Sequence, residues 1–76
     1  MNITITSTSK VVQLNGVPAR IWEGTTESGT PVHCYITRIA CDKDISAEAE
    51  EEFQRELQEH NAPSPEIDAI PLRLIL

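Results

Sequence analysis

The stretch Val11-Val12-Gln13-Leu14-Asn15-Gly16-Val17-Pro18-Ala19-Arg20-Ile21-Trp22 decides the fold. Asn-Gly supplies the positive φ values of a type I′ turn, and extended, β-branched residues flank it on both sides, so the stretch predicts a β-hairpin. Toward the N-terminus, Ile3 and Ile5 alternate with Thr4 and Thr6, a period-2 pattern that carries the first strand from about residue 2 to 14. The polar run Ser7-Thr8-Ser9 predicts a break or bulge within it. Pro18 has no N–H to donate, which places the early part of the second strand (17–23) at an edge or a bulge. Gly24–Thr30 reads as a polar loop, and Pro31 opens a third strand running to residue 41. Its even residues begin with Val32, Cys34 and Ile36 and are assigned to the core. Tyr35 and Ile39 then fall on the opposite face, because successive strand residues alternate sides.

Beyond the turn at Asp42–Ile45 the periodicity changes. Ser46 is a good N-cap, and the residues from Ala47 to His60 contain no Gly, Pro or β-branched side chain. This predicts a helix over 46–61. Ala49, Phe53, Leu57 and His60 share one stripe, while Glu48, Glu52, Glu56 and Glu59 form the neighbouring one. Residues 62–70 contain Pro63 and Pro65 and read as a connector; 71–76 read as a short apolar C-terminal strand, joining its own sheet or a neighbour's. The expected architecture is α+β, a single domain of residues 1–76. It comprises a three-stranded antiparallel sheet (a meander over 2–41), one helix packed on a face, and the short C-terminal strand.

Charge is sorted along the chain. Ten of the twelve acids lie between Asp42 and Asp68, where only Lys43 and Arg55 oppose them, within a chain of net charge −6. Such a surface repels nucleic acid and anionic membrane and favours a basic protein partner. Six basic residues, scattered and outnumbered two to one, point the same way. The final apolar stretch is far short of the roughly 20 residues that span a bilayer, and no signal-like segment opens the chain. Two cysteines make no disulfide framework, so the reading is a cytoplasmic protein with reduced thiols. A chain of 76 residues with three aromatics, Trp22, Tyr35 and Phe53, has a thin core, burying only about 60% of its unfolded surface. A homodimer is therefore expected, through the sheet or the C-terminal strand.

The chemistry-bearing residues do not assemble into a site by spacing. His33, Cys34, Cys41 and His60 are four N/S donors, but the cysteines are too far apart for the short ligand pairs of structural zinc sites. His33 and Cys34 also face opposite sides of a strand. Cys34 on a core face is poorly placed for thiolate chemistry, since apolar burial raises a thiol's pKa. The glutamates lie on an exposed helix face rather than in a cleft, and no glycine-rich phosphate loop is present. No enzyme activity, cofactor or metal is expected; the alternative is a small enzyme or metal protein using His33, Cys34 or Cys41. Binding is the expected role. Trp22 beside Arg20 is a pairing enriched at interaction hot spots. The expected partner-binding residues are Trp22, Arg38, Glu48, Glu52, Glu56 and Glu59.

The run Arg20-Ile21-Trp22-Glu23-Gly24, then Glu27-Ser28-Gly29, then His33-Cys34-Tyr35-Ile36-Thr37-Arg38-Ile39, resembles small uncharacterised proteins encoded by phages and prophages. The resemblance covers about half of the chain and carries no active-site motif. It implies a compact accessory protein that acts by binding. A variant of that role is an acidic, nucleic-acid-mimicking inhibitor of a basic host protein.

Overall fold

The computed structural model describes residues 1–69 and the backbone of Arg73–Leu74. Three antiparallel strands, β1 (Ile3–Leu14), β2 (Val17–Thr26) and β3 (Pro31–Ile36), form an open meander with β2 at its centre. Asn15 and Gly16 both take positive φ, 51° and 82°, so the β1–β2 hairpin closes as its Asn-Gly turn predicts. Pro18 pairs only with Gln13, because the β2–β3 ladder begins further along, at Arg20↔Ile36. Its missing donor costs no hydrogen bond to β3. Arg73–Leu74 pairs in parallel with Gln13–Leu14 as β4; the remainder of the expected 71–76 strand lies outside the described residues.

The break anticipated near Ser7–Ser9 is an enlarged bulge with two surplus residues. Ser7 stands opposite Trp22 and Val11 opposite Arg20, so Thr8, Ser9 and Lys10 together oppose the single residue Ile21. Two surplus residues keep the alternation of faces in step on either side, whereas one would have inverted it. The bulge is held from within. Thr8, fully buried, donates its hydroxyl to the Ile21 carbonyl at 2.7 Å and accepts the Lys10 N–H at 3.2 Å. The Arg20 guanidinium donates to the Thr8 carbonyl at 2.9 Å.

The helix α1 spans Ala47–Glu56, capped by Ser46, whose hydroxyl accepts the Ala49 N–H at 3.1 Å. It ends four residues before His60 because the chain beyond it is drawn onto the bulge. Ser7 donates its hydroxyl to the Glu59 carbonyl at 2.9 Å. Asn61 donates its N–H to the Ser7 carbonyl and accepts that of Ser9, both at 3.0 Å. These tertiary bonds to β1 take precedence over another helical turn. The third strand also stops early, at Ile36 rather than 41.

Two expectations are corrected by a second helix. The connector 62–70 contains α2 (Pro65–Asp68), with Ser64 as N-cap and Pro65 in the first turn, where a missing N–H and a fixed φ suit helix entry. Its buried Ile67 packs with Val12 and Ile21, and half-buried Tyr35 packs against them. The buried core therefore lies on the Tyr35 face of the sheet, not on the face of Val32, Cys34 and Ile36, which α1 overhangs. A strand residue serves each end of α2. Glu23 accepts the Ser64 N–H at 3.0 Å and Lys10 reaches the Asp68 carbonyl at 3.2 Å, an acid at the positive end and a base at the negative end of the helix. By contrast, α1 buries no residue; Phe53 and Leu57 are half-buried.

Candidate functional site

The gap between α1 and the sheet is the candidate site. Because the register puts Ile5, Ser7, Val11, Arg20, Trp22 and Ile36 on one sheet face, those side chains make its floor. Phe53, Glu56 and Leu57 make the roof, and the segment Gln58–Asn61 closes one end. Arg38 and Ile39, in the loop after β3, border it too. The cavity measures about 900 Å³ and is open to solvent, within the range of ligand-sized clefts. For an 8.4 kDa protein this is a large void in the place where a helix-on-sheet core would ordinarily close.

Apolar and charged walls divide the groove. Trp22, Ile5, Val11, Ile36, Phe53 and Leu57 present carbon surface that in a closed core would be covered. Arg38 stands at one lip, exposed, and makes no hydrogen bond or ion pair among the described residues. Glu56, from the roof, and Glu59, from the closing segment, line the groove as well. Arg20 is committed to the bulge carbonyl of Thr8, so it is a structural member of the floor. His60 is half-buried, with Nδ1 3.4 Å from the Ser7 hydroxyl, at the joint where the chain leaves the helix and meets the bulge.

Of the six residues expected to bind a partner, the groove brings together four: Trp22, Arg38, Glu56 and Glu59. Glu48 and Glu52 lie on α1 outside it, exposed to water. Among the described residues one ion pair involves this helix, Arg55 with Glu59 just beyond its end, at 4.0 Å; the acids of α1 itself have no ion-pair partner among those residues. Ile36, which the strand pattern assigned to the core, joins the site, as do Phe53 and Leu57 from the apolar stripe of the helix segment. Apolar residues at core spacing carry no mark that says whether the core will close.

The candidate donors for a metal or a nucleophilic centre are scattered. His33 is exposed and packs edge-on against Tyr35, ring centroids 5.4 Å apart, while Cys34 lies half-buried on the other face. Cys41 is exposed in the loop after β3. Among the described residues no three His, Cys, Asp or Glu side chains converge in a way that would hold a metal ion, and no helix is long and apolar enough to cross a membrane. Comparison with protein-family models, with curated proteins and with solved structures finds no match for the chain.

Proposed function

We propose that this chain is a small non-enzymatic protein-interaction module that grips an apolar segment of a basic partner in the groove between α1 and the sheet. The observation that carries this reading is the open cavity of about 900 Å³ that joins Trp22 and Arg38 to Glu56 and Glu59. An apolar floor with a Trp favours an apolar anchor from the partner. The acidic roof and the unneutralised helix behind it favour lysine and arginine flanking that anchor. Arg38, the one cation at the lip among the described residues, sets the polarity of the bound segment. The phage or prophage setting implied by the resemblance suits such a role, with a host protein as the target.

Selection of a random peptide library on the immobilised chain tests this. Enriched peptides are expected to place one or two large apolar residues among Lys and Arg, and to be lost on Trp22→Ala or Glu56→Lys. No enrichment, or enrichment indifferent to both substitutions, would refute the proposal.

A second reading is favoured by the wet carboxylates of Glu48, Glu52 and Glu56, which repeat every four residues, about 6 Å along the helix. They would act as a decoy for a nucleic-acid backbone on a basic protein. Binding would then weaken steeply with salt and fail on reversal of those three charges, whereas groove binding keeps its apolar share at high salt.

A further inference from the structure

We propose that the outer edge of β3 is a self-association edge, along which two copies pair β3 with β3 antiparallel about a two-fold axis at Cys34. This rests on the strand edge and stands apart from the groove reading.

The two edges of the meander differ. The outer edge of β1 is occupied by Asn61 at the bulge and by Arg73–Leu74 at its end, and Lys10 in the bulge adds a charge. The outer edge of β3 has none of these. Among the described residues, no backbone or side-chain hydrogen bond beyond its ladder with β2 reaches Val32–Ile36. The strand Pro31-Val32-His33-Cys34-Tyr35-Ile36 is regular, holds no lysine, acid or bulge, and has its one proline at the first position. Charges, bulges and internal prolines are the usual protections of an exposed edge. These protections run along β1 from its bulge to its end and leave open only Ile3–Thr6 at its start, whereas among the described residues β3 has none over its whole length, which marks β3 as the edge that accepts another strand.

A second copy is the occupant that the side chains fit. A two-fold axis that continues a sheet stands perpendicular to it and leaves each face in place, so directly opposed residues must differ in number by zero, two or four. Centring on His33 sets imidazole against imidazole and brings Pro31, without an N–H, into the ladder opposite the partner's Tyr35. Centring on Cys34 leaves Pro31 outside. Val32 then meets the partner's Ile36, His33 meets the partner's Tyr35, and Cys34 meets its own counterpart. Each opposed pair is apolar or aromatic, the kind that stabilises neighbouring strands. The existing edge-to-face contact of His33 and Tyr35 is doubled into a four-ring cluster. No acid of either copy lies on the paired strands, so the net charge of −6 does not oppose the contact locally.

The test uses the full chain carrying Cys41→Ala, an exposed position, so that Cys34 is the sole thiol. Sedimentation velocity at micromolar concentration is expected to give dimer mass. A short bismaleimide is expected to link most of the protein as covalent dimer under native conditions. The link should disappear in denaturing urea and with Cys34→Ala added. Monomer mass would overturn the proposal. So would a dimer that Cys34 does not link, since that places the interface elsewhere, or a link that persists in urea, which is collision alone. Peptide selection through Trp22 reports on the groove and is unaffected by either outcome.

Discussion

Thr8 shows how much one side chain decides here. It is a polar residue with 0% exposure, and its hydroxyl satisfies the Ile21 carbonyl and the Lys10 N–H that the surplus residues of the bulge would otherwise strand. Thr8→Val keeps the shape and removes those bonds. It is expected to lower unfolding free energy by about 1–3 kcal/mol in urea titrations, because buried groups lose their partners. Thr8→Ser should retain most of the stability, and equal losses in both variants would mean that packing rather than the hydroxyl matters. Gly24 is constrained differently: a Cβ there would collide with the Thr4 backbone. Since neither strand can shift without breaking the ladder, Gly24→Ala is expected to cost about 1–3 kcal/mol or more. A variant that melts with the parent would show that β1 and β2 are less closely held than the structure requires.

The two helices carry opposite relations to the core. Four-residue α2 supplies Ile67, 4% exposed, so Ile67→Ala is expected to remove about 2–4 kcal/mol, enough in a marginal domain to unfold much of the protein by circular dichroism. Ten-residue α1 buries nothing, so losing its cap by Ser46→Ala, worth about 1 kcal/mol to the helix, should raise amide exchange within 47–56 and barely move the global transition. An equal fall in global stability would mean that α1 is part of the cooperative core. Glu52→Lys replaces two repulsive i,i+4 neighbours, Glu48 and Glu56, with attractive ones. It should stabilise α1 by several tenths of a kcal/mol, an effect that shrinks in high salt. This imbalance was only partly legible in the sequence. Asn15-Gly16, the β-branched flanks and the uninterrupted 47–56 run specify their elements by local chemistry, and the meander and α1 follow. The extent of α1 did not, because Ser7 and Ser9 compete for the chain at Glu59–Asn61 through contacts some 50 residues apart. Nor did α2, too short for any periodicity, although Ser64-Pro65-Glu66 is a cap, a first-turn proline and a first-turn acid in order. Missing α2 reversed the choice of core face, since only Ile67 tells which side of β3 is covered.

For the whole molecule, the radius of gyration is 13.9 Å, against roughly 11 Å for an average domain of this length. The open groove and the long β1–β2 hairpin, whose first strand runs 12 residues, both contribute to the excess. A chain that fills its core with Val12, Ala19, Ile21 and Ile67 and leaves Trp22, Phe53 and Leu57 around a solvent-filled gap has apolar surface in reserve for something else. On the proposed reading, the acids clustered on α1 bias what that is toward a basic partner. Trp22, Arg38, Glu56 and Glu59 were recognisable one at a time as interaction-type residues, but their meeting around one cavity depends on α1 standing off the sheet, which no local pattern encodes. Hydrogen exchange of the chain, alone and bound to a selected basic-apolar peptide, tests the account at its centre. New protection is expected in 18–22, 36–39 and 53–61, the floor, lip and roof of the groove. Protection confined to the hairpin turn, the 27–30 loop or the outer face of α1, with those three segments unchanged, would contradict it.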